Sequence, residues 1–205
     1  DKVALWLPNR PAWLVAQHAC AKIGATVVAL NTRYKAHELS YILEQSDAAA
    51  LILTDHLGPI DFLEVLDEVL PELQNAEPGA LHAEKFPLLR RVIVYAEYPY
   101  PGTLRLRDVV EVGDRSDLDN QLEAARARVA ADDVFTILYT SGTTSFPKGA
   151  MISHANCLPH GWNCGAQLRL TADDRILHAL PFSGTWGGVN IPLTAFTHGA
   201  CLVLM

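Results

Sequence analysis

Much that would assign this 205-residue sequence to a familiar class is scarce or missing. No apolar run approaches the roughly 20 residues that a membrane-crossing helix needs. Cysteine is limited to four residues, Cys20, Cys157, Cys164 and Cys201, and none pairs at the short spacing of a metal or redox motif. Each stands among apolar neighbours, so buried, reduced thiols in a cytoplasmic compartment are expected. There is no basic block. The net charge is −7, and Arg90-Arg91, Arg105 and Arg107 are scattered, as on a solvated face, so a nucleic-acid partner is not expected. The eight histidines are dispersed; His154 and His160 are six apart, which is wrong for one helix face, and no metal site is expected. Neither a Gly-x-Ser-x-Gly elbow nor a Ser/His/Asp arrangement is present, which argues against a serine hydrolase. The chain opens on Asp1-Lys2 without methionine, so targeting cannot be read from this end.

What is present describes a globular α/β chain. Half of the residues are apolar and 19% are charged, and a chain of this length can bury roughly 70% of its unfolded surface. Strands are expected at 3–7, 26–30 and 48–54. Between them, Trp13, Ala16, Cys20 and Ile23, then Leu39, Ile42 and Leu43, recur at helical spacing. Asn9 is the expected N-cap of the first helix, with Pro11 in its first turn and Gly24 just past its end. This alternation predicts right-handed crossovers and a mainly parallel sheet flanked by helices. Phe62, Val65, Leu66, Val69 and Leu70 mark another amphipathic helix, its acids solvated. Residues 71–87 read as a long excursion, 91–95 as a strand, and Tyr98-Pro99-Tyr100-Pro101-Gly102 as a stiff turn. Leu118, Leu122 and Ala125 predict a further helix.

The chain is organised around residues 134–149. The apolar run from Val134 to Tyr139 reads as a buried strand. It ends abruptly in Thr140-Ser141-Gly142-Thr143-Thr144-Ser145, followed by Phe146-Pro147-Lys148-Gly149. Such a loop turns amide and hydroxyl donors toward one anion, and Lys148 adds a full positive charge. Donors and a cation at the carboxyl end of a strand fit a polyphosphate. This is no Walker A loop, because Pro147 precedes the lysine and Gly149 follows it.

At these residues the sequence resembles the AMP-forming acyl-CoA synthetases, whose signature loop is shared with luciferases and peptide-synthetase adenylation domains. Asn9-Arg10-Pro11, Gly24 to Val28, Asn31 and the Glu38-Leu39 helix match the family's upstream pattern in order. The resemblance implies a two-step ligase using ATP, Mg2+ and coenzyme A, in which a carboxylic acid becomes an acyl-adenylate and then a thioester. By resemblance, Thr140, Ser141, Gly142, Thr143, Thr144 and Lys148 hold the phosphates, with Lys148 and Thr143 catalytic. One position departs from the pattern: Ser145 stands where the family has glycine, and a positive φ there would cost about 1–2 kcal/mol.

Downstream, residues 150–153 should return antiparallel to the entering strand. A helix over 154–168, a strand over 175–180, a helix over 189–196 and a last strand over 200–205 should follow. Between them, Pro181-Phe182-Ser183-Gly184-Thr185-Trp186-Gly187-Gly188 falls where the family sets its acyl pocket. The histidine frequent there is not matched, which leaves Trp186 and Gly187 as the expected pocket residues, with Trp186 equally readable as core. The resemblance covers the whole chain as a partial N-terminal domain, divided at roughly 1–115 and 116–205. It implies that the adenine-binding strand, the magnesium-binding glutamate and the C-terminal domain lie outside this sequence, and that the piece alone is inactive. Two alternatives stay open: a peptide-synthetase adenylation domain, or a non-catalytic nucleotide-binding module.

Overall fold

A computed structural model describes residues 1–114, 116–140 and 147–205, apart from the side chain of Ser116. Strands and helices alternate through the first half: β1 (Lys2–Trp6), α1 (Pro11–Lys22), β2 (Thr26–Ala29), α2 (Ala36–Ser46) and β3 (Ala50–Thr54). A small hairpin, β4 (His56–Leu57) and β5 (Ile60–Asp61), leads into α3 (Phe62–Val69). Then come β6 (Arg91–Tyr95), β7 (Leu104–Arg105), α4 (Leu106–Gly113) and α5 (Asp119–Arg126). The second half carries β8 (Val134–Thr140), β9 (Lys148–Ser153), α6 (His154–Leu168), β10 (Arg175–His178), α7 (Ile191–Phe196) and β11 (Cys201–Leu204).

Seven strands form one sheet in the order β7-β6-β3-β1-β2-β8-β9. Every neighbouring pair is parallel except β8 and β9. β1 is central and reads as a continuous apolar strand because both its faces are covered. Ala4 and Trp6 face one core with Leu39, Ile42, Phe62 and Leu66 of α2 and α3. Leu5 and Leu7 face the other with Trp13 of α1, Phe135 of β8 and Cys157 of α6. The expected parallel sheet, with helices on both faces, is what forms. A second sheet contains β10 and β11, also parallel.

Local chemistry explains the helix starts. Asp61 caps α3, its carboxylate accepting from the amides of Leu63 at 2.8 Å and Glu64 at 3.1 Å. Ser153 and Asn156 form a reciprocal capping box at the start of α6, which then runs unbroken through Pro159. Two expectations need correction. Asn9 does not cap α1; Arg10 occupies that position with no side-chain bond, and Pro11 begins the helix. The carboxamide of Asn9 is committed elsewhere, to Leu180 and Phe182. The cysteines also differ from expectation: Cys20 and Cys157 are buried, Cys164 is half-buried and Cys201 is exposed. Cys201 lies on β11, whose residues alternate between exposed and half-buried.

Candidate functional site

The hydroxyl-rich loop is spanned by β8 and β9. Thr140 ends β8 and Lys148 begins β9, and the two are direct cross-strand partners. Residues directly opposite one another in an antiparallel pair project to the same face. Both are exposed, and Lys148 has no acidic partner among the described residues. Ser141, Gly142, Thr143, Thr144 and Ser145 lie outside those residues.

The base of this loop rests on tyrosines that the sequence did not single out. The Tyr139 hydroxyl donates to Gln45 Oε1, and the Tyr41 hydroxyl donates to the carbonyl of Pro147 at 3.3 Å. Burial pushes Tyr139 up to about 12, with Tyr41, Tyr34 and Asp47 adding to the effect. Tyr34 is raised too, by burial and then by Glu38. Tyr139 is therefore a neutral donor at ordinary pH, and it fixes the end of β8 to α2. Gly149 completes the arrangement: a Cβ there would lie 2.9 Å from Ile137 Cγ2 and 3.3 Å from Tyr139 Cζ. Only a bare backbone lets β9 lie against that ring.

Residues 181–188 form a second group. The sequence predicts a loop here with a helix from 189, but Thr185–Asn190 is a π-helical turn and α7 starts at Ile191. Gly187 and Gly188 make the tight fold possible. Added Cβ atoms would sit 2.0 Å from Pro181 O and 1.9 Å from Phe182 O. Gly187 is buried, while Trp186 is 65% exposed. Trp186 is thus not a core residue. Neither its solvent exposure nor its place on the π-turn is legible from the sequence pattern.

α1 holds this segment. Asn9 Nδ2 donates to Leu180 O at 2.8 Å, and the Phe182 amide donates to Asn9 Oδ1 at 3.0 Å. Gln17 Nε2 donates to Gly188 O at 3.0 Å from a fully buried position. Trp13, Phe182 and His178 stack as three rings, with centroids 5.0 and 4.7 Å apart. His178 is held below its ordinary value, chiefly by burial. Gln17 carries a sequence signal, as a polar residue on the apolar face of a helix, four after Trp13. His178 offered no such signal. Asn31, an upstream match, is used structurally: its side chain accepts from the Arg33 amide and its carbonyl accepts from Trp6 Nε1.

Both groups lie at one edge of the sheet. Thr140 closes the carboxyl end of β8, and Asn9 follows the carboxyl end of β1, two strands away. This edge is where open α/β sheets bind ligands. A cavity of about 300 Å³ opens there, lined by Leu7, Asn9, Arg10, Thr32, Phe182 and Ser183 among others. A slightly larger one, about 340 Å³, lies toward the opposite edge, between Phe135, Cys157, Leu193 and Lys22. Neither is lined by the π-turn, but only the smaller is lined by Asn9, Phe182 and Ser183, so the smaller cavity is the better candidate. Among the described residues no group of three or more His, Cys, Asp or Glu could hold a metal ion. No described helix is long and apolar enough to cross a membrane.

Comparison with known proteins agrees with this fold. The family model described as AMP-binding enzyme matches residues 1–205. YngI of Bacillus subtilis (strain 168) is 38% identical over 203 residues, covering 99% of this chain and 37% of that protein. The medium-chain acyl-CoA ligase ACSF2, mitochondrial, of Mus musculus is 34% identical over 208 residues, covering all of this chain and 34% of its own length. The chain thus spans about a third of the length of these relatives. Among solved structures, apo MbtA of Mycobacterium smegmatis superposes with a TM-score of 0.74 at 25% identity, over 99% of this chain and 34% of that one. The anthranilate CoA ligase AuaEII with anthranoyl-AMP gives a TM-score of 0.76 at 22% identity, over 99% and 35%, and speaks to the fold.

Proposed function

The chain belongs to the AMP-binding enzyme family, and from that premise we propose that the whole protein is an AMP-forming acyl-CoA synthetase. A carboxylate oxygen of the acid attacks the α-phosphorus of ATP. The bond from that phosphorus to the bridging oxygen breaks, and pyrophosphate leaves with the electron pair. The sulfur of coenzyme A then attacks the acyl carbon, AMP departs, and the thiol proton is released. No nucleophile from the protein is needed, because the acid supplies it. The protein's part is positioning and charge stabilisation.

The observation that carries this reading is the Thr140–Lys148 pair. It brackets a hydroxyl-rich loop at the ligand-binding edge of a parallel sheet, with the ammonium unclaimed by any described carboxylate. Thr140, Ser141, Thr143, Thr144 and the Gly142 amide bind the β- and γ-phosphates, and Lys148 offsets the charge that grows on pyrophosphate. The Mg2+ of such reactions finds no ligand set among the described residues. Trp186 and Gly187 line the acid pocket, and the name of the mouse relative supports an acyl substrate. All four cysteines are free thiols, which suits a reducing compartment such as the cytoplasm.

The test is exchange of labelled pyrophosphate into ATP by the full-length protein across a panel of carboxylic acids. Acid-dependent exchange is expected, and Lys148→Ala should lower it roughly 10²-fold, with Thr143→Ala also impaired. No exchange with any acid, or an unchanged rate in Lys148→Ala, refutes the assignment.

A further inference from the structure

The buried side-chain polar atoms without a hydrogen-bonding partner among the described residues are Trp13 Nε1, Gln17 Oε1 and both ring nitrogens of His178. All belong to one cluster. Trp13 and Gln17 are one turn apart on the buried face of α1. Trp13 and His178 both stack on Phe182, and Gln17 bonds to Gly188. The cluster therefore clasps residues 181–190 against α1. Orphaned buried polar atoms cost stability, and an interior shaped for stability alone would place leucine or phenylalanine here. Local rules broken together round one segment mark a place shaped for another purpose.

We infer that Gln17 and Asn9 are positioning residues that set how the acid is held, through the backbone of residues 180–188. This rests on the reading of that segment as the wall of the acid pocket. Asn9 grips the segment at Leu180 and Phe182, and Gln17 grips it at Gly188. The exposed Trp186 lies between these anchors, so α1 sets its direction. A π-turn bonds five residues apart rather than four, as Ile191 N to Trp186 O does here. The residue four after Gly188 is Pro192, which has no N–H to give, and the side chain of Gln17 takes the Gly188 carbonyl. Both anchors act on peptide groups, so their effect does not depend on which side chains face the acid. Among the described residues, neither bonds to Thr140 or Lys148, so their influence is expected on the acid and not on the nucleotide.

The experiment measures acid and ATP Michaelis constants by pyrophosphate exchange in the full-length protein. Gln17→Leu keeps the volume and removes the donor. Asn9→Ala removes two bonds at a half-buried position, so it tests the same idea should Gln17→Leu not fold. Each is expected to raise KM for the acid about 2- to 10-fold, the range for one lost hydrogen bond, and to leave KM for ATP unchanged. Val15→Ala, on the exposed side of α1, should change neither. Folded variants with wild-type KM for the acid overturn the inference, as does an equal rise in both constants. A wild-type protein with no acid-dependent exchange defeats the functional assignment instead, and the two failures are told apart by that control.

Discussion

Gly187→Ala and Gly184→Ala should shift stability in opposite directions, although the two glycines are only three residues apart. At Gly187 the new Cβ would lie 2.0 Å from Pro181 O, 2.6 Å from Pro181 C and 2.9 Å from Leu180 O. These are backbone atoms, so no side chain can swing aside. Pro181 O cannot move freely either, because it accepts from the Gly184 amide at 3.1 Å. Relieving the clash means shifting the segment by more than an ångström and straining that turn. Overpacking of this kind costs about 1–3 kcal/mol, and loss of the turn bond adds about 1 kcal/mol. At Gly184 the nearest atom would be 3.6 Å away, an ordinary contact, and its φ of −102° is open to any residue. Alanine there restricts only the unfolded chain, a gain of about 0.4–1 kcal/mol. Urea unfolding of the full-length protein, followed by tryptophan fluorescence, measures both. If Gly187→Ala unfolds at the wild-type midpoint, or both variants move the same way, the close approach of the π-turn to residues 180–182 is wrong.

His178 is buried against the Phe182 ring and refuses a proton that the unfolded chain accepts below about pH 6.5. Its contribution is therefore complete above that pH and shrinks as pH falls, by up to about 1.4 kcal/mol per unit until the folded imidazole titrates. His178→Phe should flatten this part of the stability–pH profile between pH 7.5 and 5.5, measured by urea midpoints, and an unchanged slope would contradict it. Asp61→Ala removes the acceptor for two helix amides and should cost about 1 kcal/mol, read in the same unfolding assay.

Periodicity was enough to locate most of the parallel sheet, most of its flanking helices and the antiparallel return after the hydroxyl loop, while β7 and α4 were not foreseen. Apolar runs bounded by turn residues report burial on both faces of a strand, and that burial is a local property of each segment. The hydroxyls, glycine and Lys148 stand out in the sequence because they crowd into ten residues, and of these the described Thr140 and Lys148 pair across β8 and β9. What α1 does was not legible. Asn9 looks like a cap by its neighbours, yet it bonds to residues 171 and 173 positions away. Gln17 meets Gly188 across a similar span. No pattern within a window of a few turns reports a partner that far along the chain. The π-turn at 185–190 and the outward Trp186 were hidden for the same reason: two glycines permit many conformations, and only the carbonyls of Pro181 and Phe182 pressing on them select one. Local spacing thus determined which segments become strands and helices. The folded chain alone decided which polar side chains are used to cap, to clasp or to face solvent, because that choice depends on what packing brings within hydrogen-bonding distance.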